Sequence, residues 1–314
     1  MGLVMLMTLK EVLYVFLALG INLYVCSYLM SKVSARVESR RGYAASRFGS
    51  ITYPYFKTVK YLSKQSSINL WDALLFLFSI LLWAVVPINA SILILDFNSG
   101  FVVSILFYLA VLAMHVLAAR SRYKWMPDHI FREAATTASL FLPALISLIS
   151  VIMINNTMNL KELVNQQYDY WNIVYQPLGF LVVFIVAVLQ VKVWGMTRKN
   201  VTLYGRKIEK EGSGLPRALS RFSKYMLLFY IIALMSIFYW GGWLDLYFID
   251  GNLLLILKFY VMFMLIILIE KAIPEIDSYK YIVDINWKFL VPVSVFNFLL
   301  TLIFLIARKV YGLI

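Results

Sequence analysis

Apolar runs of about 20 residues recur along the whole chain, separated by polar stretches of unequal length. A run of about that length crosses a hydrocarbon core of about 30 Å as a helix. The runs fall at roughly 9–31, 72–95, 101–119, 135–155, 177–196, 225–243, 251–272 and 287–307. Strands of a membrane barrel alternate apolar and polar positions over about ten residues, and these runs do not. The pattern predicts an all-α polytopic membrane protein with eight transmembrane helices in one membrane domain, 1–314. The first run is expected to span the membrane rather than act as a signal peptide, being long and without a small-residue cleavage site.

Between the first two runs, residues 51–64 read ITYPYFKTVKYLSK. Aromatics at Tyr53, Tyr55, Phe56 and Tyr61 alternate with Lys57, Lys60 and Lys64, and Pro54 marks a helix start. This predicts a short interfacial amphipathic helix, apolar on one face and basic on the other. It has two readings, a plain surface anchor or the wall of a cavity entrance.

Composition agrees with the pattern. The chain is 62% hydrophobic and 14% charged, with mean hydropathy +0.81, where a soluble domain is about one quarter charged. The charge is one-sided. Lys32, Arg36, Arg40, Arg41, Arg47, Lys57, Lys60 and Lys64 lie in the first loop, and Arg120, Arg122, Lys124 and Arg132 in the third. Arg198, Lys199, Arg206, Lys207, Lys210, Arg217, Arg221 and Lys224 lie in the fifth, whereas the fourth carries only Lys161. Cytoplasmic loops retain Lys and Arg. The odd loops, about 32–71, 120–134, 197–224 and 273–286, are therefore expected in the cytoplasm and both termini outside, in the inner membrane of a prokaryote. The same basic loops suit anionic lipid headgroups or an acidic partner surface. Nothing resembles a nucleic-acid module, and the positive-inside rule already explains the charge.

The single cysteine, Cys26, cannot supply a four-cysteine cluster. The two histidines, His115 and His129, lack a nearby third ligand, which argues against zinc or haem. No cofactor is expected in this chain.

Several local motifs, in order, resemble the eight-helix heel subunit of respiratory complex I and its relatives in membrane-bound hydrogenases. Arg40, Arg41, Gly42, Gly49, Pro54 and Lys60 follow the spacing of that family's first cytoplasmic loop, with Tyr43 in place of its first proline and Lys57 in place of its aspartate. Arg132, Glu133 and Ala134 open the fourth run as in the hydrogenase branch, and Glu270 is similar to the same branch. The most specific match is Gln176–Leu181, QPLGFL. Glu211, Ser213 and Gly214 resemble a family turn, Trp240 to Trp243 a family helix end, and Trp287, Lys288 and Pro292 a family helix start.

The resemblance implies a non-catalytic membrane-arm subunit of a hetero-oligomeric redox complex. It would join cytoplasmic iron–sulfur or hydrogenase-like subunits to antiporter-like membrane subunits. Iron–sulfur clusters, and NiFe in the hydrogenase branch, would reside in those partners. It also implies a set of chamber carboxylates, which fall here at Gln190, Thr197, Asn200, Thr202, Tyr204 and Phe141. All six are neutral, and residues 190–207 contain no Asp or Glu. A carboxylate relays protons when burial brings its pKa near neutrality; Gln, Thr, Asn, Tyr and Phe do not. The family's proton and quinone chemistry is expected to be lost.

The charges left at the ends of the runs are Lys192, Arg132, Glu133, Asp72 and Glu270, with His115 nearby. If they converge, they and Gln190 make a polar chamber. Each also has a plain reading, as a snorkelling or capping side chain. Lys258, seven residues into the seventh run, is open to the same two readings. Arg40, Arg41, Arg47, Lys57, Lys60, Arg206, Lys207 and Lys210 are the candidate docking surface. Two competing readings remain: a quinone-binding subunit that uses aromatics and Lys192, and a stand-alone ion or solute transporter.

Overall fold

The computed structural model describes residues 2–39, 51–64, 66–89, 92–122, 127–196, 201–203, 206–208, 214–245, 249–273 and 279–310. It is an all-helical bundle apart from one short hairpin. Helices α1 (Gly2–Val37), α2 (Tyr53–Leu62), α3 (Leu70–Val85), α4 (Gly100–Arg122) and α5 (Pro127–Asn155) are followed by two short helices, α6 (Leu160–Asn165) and α7 (Asn172–Tyr175). Next come α8 (Pro177–Trp194), the antiparallel pair β1 (Val201–Leu203) and β2 (Arg206–Ile208), then α9 (Leu215–Tyr239) and α10 (Gly251–Ala272). Helix α11 (Tyr279–Ile285) runs through a π-helical turn, Asn286–Leu290, into α12 (Val291–Val310).

Helix α9 is the axis of the bundle. Of its apolar window 83% is buried, against 17% for α1. Helices α3, α4, α8 and α10 pack around it, α5 pairs with α8 and α12, and α1 lies at the edge against α10. Helices α1 and α12 expose Leu13, Leu17, Ile21, Phe296, Ile303 and Ile306, as suits faces turned to lipid.

Seven helices among the described residues are long and apolar enough to cross a membrane, where eight spans were expected. The exception is α3. Its 16 residues rise about 24 Å at 1.5 Å per residue, short of a hydrocarbon core. The cause is Pro87, which disfavours helical backbone at the residue before it. Val86 is extended, and the chain folds back so that Leu95 N–H donates to Ala84 O at 2.9 Å.

The basic loops are shorter than the charge pattern suggested. Helix α4 continues to Arg122, α5 begins at Pro127, and α9 already begins at Leu215. Arg120, Arg132, Arg217, Arg221 and Lys224 therefore ride on helix ends rather than in loops.

Helix α5 contains Pro143. A proline inside a helix leaves the carbonyl four residues earlier without its donor, here Ser139 O. Asn286 of the π-helical turn, fully buried, donates its Nδ2 to that carbonyl at 2.8 Å. The extra residue of a π-turn re-aims a side chain, and in this fold it re-aims one to mend the α5 break.

Candidate functional site

Helix α2 forms where the Pro54 pattern placed it. The helix is fastened near both of its ends. Tyr24 Oη of α1 donates to Ile51 O, and Arg221 of α9 donates to Tyr61 Oη at 2.7 Å. Arg217 and Arg221 also lie 5.9 and 5.5 Å from the Tyr61 ring centroid. Tyr55, Phe56, Val59 and Leu62 remain exposed, which gives the helix an apolar outer face, as an interfacial helix has. Lys57 is half-buried and Lys60 exposed. Arg40, Arg41, Arg47 and Lys210 lie outside the described residues. Arg206 and Lys207 sit on β2, opposite Leu203 and Thr202.

Two of the six positions where the resemblance places carboxylates, Gln190 and Phe141, come together in the middle of the bundle. Tyr108 of α4 is the residue between them. Gln190 Nε2 donates to Tyr108 Oη at 3.0 Å, and Tyr108 Oη donates to Gln190 Oε1 at 3.3 Å. Phe141 of α5 stacks on the other side of the Tyr108 ring, with centroids 4.3 Å apart. Tyr230 of α9 stacks on the same ring at 5.3 Å. Its hydroxyl lies 3.0 Å from Ser104 Oγ; that oxygen gives its hydrogen to Phe101 O, so Tyr230 is the donor. All five side chains are buried. A phenol–amide pair, a phenol–hydroxyl pair and a phenyl ring thus fill the position where the family resemblance placed carboxylates. Thr197, Asn200 and Tyr204 lie outside the described residues, and Thr202 is on β1.

The charged candidates separate into two contacts. Lys192 Nζ, buried, donates to Ile273 O at 2.8 Å and Glu270 O at 3.5 Å. Those carbonyls end α10, where a cation is favoured by the helix dipole. Lys224 of α9 makes an ion pair with Glu133 of α5 at 3.6 Å and donates to Trp194 O at the end of α8 at 3.4 Å. Each lysine therefore closes a neighbouring helix end, Lys192 that of α10 and Lys224 that of α8. Glu270 is buried beside Lys192. Asp72, also buried, takes part in the capping box of α3 with Asn69, and Arg132 is exposed.

Lys258 is buried and is not isolated. Its ammonium donates to Trp240 O and to Gly242 O (3.0 Å) and lies 4.4 Å from the Trp171 ring centroid. Gln167 Nε2 donates to Ile237 O at 2.7 Å, and Asn172 Nδ2 to Phe238 O at 2.9 Å. These side chains satisfy the carbonyls that end α9, which a buried helix must find partners for.

The Gln176–Leu181 motif has a packing reason. Gln176 Nε2 donates to Thr301 Oγ1 of α12 at 2.8 Å, and Tyr239 Oη of α9 donates to Ser147 O of α5 at 3.2 Å. Gly179 lies between them. A Cβ there would stand 2.9 Å from Tyr239 Oη and 3.0 Å from Asn297 Nδ2. The motif joins four helices at one crossing that admits no side chain.

Comparison with known proteins agrees with this frame. The family model described as NADH dehydrogenase matches residues 10–302. The chain belongs to that family. It is 32% identical to the H subunit of NADH-quinone oxidoreductase from Brevibacillus brevis over 231 residues, 69% of this chain and 66% of that one. It is 29% identical to the protein of the same name from Geobacillus sp. over 63% of this chain and 62% of the relative. In both, the matched part falls just short of two thirds of the relative's length. The second H subunit of NADH-quinone oxidoreductase from Rhizobium meliloti is 25% identical over 88% of this chain and 90% of its own length. Within an NADH dehydrogenase family member, the neutral cluster at Tyr108, Gln190 and Phe141 is the feature that bears on mechanism.

Pattern reading missed Tyr108, Tyr230 and Ser104. Polar groups inside apolar runs were the available signal, but their pairing is tertiary: Tyr108 and Gln190 are 82 residues apart.

Proposed function

We propose that this chain is a non-catalytic membrane-arm subunit of a hetero-oligomeric complex of the NADH-quinone oxidoreductase type, in a bacterial inner membrane. It anchors a cytoplasmic redox arm and links it to antiporter-like membrane subunits. Electron-carrying centres, iron–sulfur clusters and in a hydrogenase-like branch NiFe, belong to the partner chains. Glu270 and the Arg132–Glu133–Ala134 sequence support placing it in that branch.

The observation that carries the reading is the closure of Gln190 and Phe141 around Tyr108. Neutral side chains cannot exchange protons as a carboxylate near neutral pH does. Coupling through this subunit is then mechanical or electrostatic, through helix ends fastened by Lys192 and Lys224, rather than a relay of buried acids. Purification of the tagged chain in mild detergent tests the assignment. Iron–sulfur and antiporter-like chains are expected to accompany it; a chain that runs alone or as a homo-oligomer would instead be a transporter.

Both termini are proposed to lie outside, on the loop-charge asymmetry. In intact cells an impermeant thiol reagent should label Asn98→Cys and spare Ser67→Cys, both positions being exposed. Cys26 is buried and should not interfere. The opposite labelling would invert the topology.

The basic inner surface is proposed to dock an acidic face of the redox arm. Rim charges act mainly on association rate and salt dependence. Reversal of Arg206, Lys207 and Lys210 to Glu should release the arm at a lower salt concentration than the parent complex tolerates. Co-purification unchanged at every salt concentration would remove these residues from the interface.

A further inference from the structure

Helix α9 ends at Tyr239, and the turn Trp240, Gly241, Gly242, Trp243 follows. Both glycines have positive φ, 66° and 47°, a backbone that glycine adopts without strain. Gly242 N–H donates back to Ser236 O at 2.8 Å, and Gly241 N–H donates to Gln167 Oε1 at 3.1 Å. The turn lies too close to its neighbours for side chains. A Cβ on Gly241 would stand 2.7 Å from Trp171 Nε1, and one on Gly242 2.8 Å from Val164 Cγ2. The two glycines thus bring the carbonyls of Trp240 and Gly242 up to the ring of Trp171.

What they enclose is an ammonium ion. Lys258 Nζ donates to both carbonyls and faces the Trp171 ring, 4.4 Å from its centroid. Among the described residues no carboxylate pairs with it. The attraction comes instead from the negative end of the α9 dipole and from the ring quadrupole. An ammonium has three donors and no acceptor, which suits two carbonyls and one π face. An alkali ion must replace its hydration shell with a ring of oxygens, and two carbonyls fall short of that. A quaternary ammonium has no N–H to give them. The site is therefore shaped for a primary ammonium, and α10 delivers one on a four-carbon stem.

We propose that Trp240 O, Gly242 O and the Trp171 ring form an ammonium-binding site in its own right, with Lys258 as its tethered ligand, so that the site binds a free primary alkylammonium ion once the lysine side chain is removed. Lys258 is a positioning residue: its charge locks α10 to the end of α9 and to the segment that carries Trp171.

The test is chemical rescue of the full chain, purified in mild detergent with whatever chains accompany it. The readout is the temperature at which the monodisperse size-exclusion peak is lost. Lys258→Ala removes the atoms from Cγ to Nζ, and propylammonium supplies the same atoms. The Ala variant should lose its peak at a lower temperature than the parent. Propylammonium should raise that temperature progressively with concentration, as a ligand bound by the folded state alone does. Tetramethylammonium and 1-propanol at equal concentration should not. The parent should gain nothing, because its site is filled. Lys258→Met fills the stem volume without the charge, and should lose heat tolerance that propylammonium does not restore. Adding Trp171→Leu to Lys258→Ala should weaken the apparent propylammonium affinity about tenfold, the size of one desolvated cation–π contact. A separate arm keeps the lysine: Trp171→Phe retains a ring face and should keep more heat tolerance than Trp171→Leu. The proposal is overturned if propylammonium does not rescue Lys258→Ala, or if tetramethylammonium, 1-propanol or the Met variant shows the same rescue. Parent-like heat tolerance of Lys258→Met, or equal losses in Trp171→Phe and Trp171→Leu, overturns it as well.

Discussion

Gly179→Val should be among the most damaging single substitutions in this protein. The new Cβ alone would stand 2.9 Å from Tyr239 Oη and 3.0 Å from Asn297 Nδ2, inside a crossing of α5, α8, α9 and α12. Neither neighbour can swing into solvent, because Tyr239 and Asn297 are both buried. Overpacking of a core costs typically 1–3 kcal/mol. Displacing Tyr239 from Ser147 O and Gln176 from Thr301 adds the penalty of buried polar groups left unmade. The combined loss is expected at about 3 kcal/mol or more. In detergent, the Val variant should lose its monodisperse size-exclusion peak at a lower temperature than the parent, with Gly179→Ala between the two. Tyr239→Phe removes the nearest clashing atom and should recover part of the Gly179→Ala loss. Equal heat tolerance of the Val variant and the parent would mean that the crossing is looser than described.

The spans were legible because nothing else in a sequence looks like 20 apolar residues in a row. Helix α2 was legible because Pro54 and the alternation of tyrosines with lysines carry their own local logic. The truncation of α3 was signalled only by Pro87, inside a run whose hydropathy continues to Leu95. The helical ends at 120–122, 127–134 and 215–224 read as loops because charge was taken for irregular structure, whereas the helices continue through them, with Lys224 on the Trp194 carbonyl and Arg221 on the Tyr61 hydroxyl.

The site was half legible. Gln190 and Phe141 were picked out by what they replace, and the structure places both against Tyr108. What no local pattern announces is the partner. Tyr108, Tyr230 and Ser104 look like ordinary members of apolar spans until four helices meet. Lys192 and Lys258 show the same limit. Each stood out as a charge near or within a span, but its role as the donor that closes another helix's last carbonyls depends on a neighbour 78 or more residues away for Lys192, and on a turn 16 to 18 residues away for Lys258.

The second large effect concerns the neutral cluster. Gln190→Leu alone leaves the buried Tyr108 hydroxyl without its amide and should cost about 1–3 kcal/mol. Adding Tyr108→Phe removes the orphaned group, and replacing both partners of a buried hydrogen bond by apolar groups of similar shape is nearly neutral. The two changes should therefore be strongly non-additive, as touching residues are. The double variant is also the most direct measurement of the central claim. Its phenol–amide pair is gone, and Phe141 is already inert. If this subunit couples without an acid relay, the complex carrying Gln190→Leu and Tyr108→Phe should assemble, transfer electrons, and translocate as many ions per electron as the parent in sealed vesicles. Loss of ion translocation in a double variant that assembles and transfers electrons normally would contradict the account, because Gln190 and Tyr108 would then be carrying the coupling themselves.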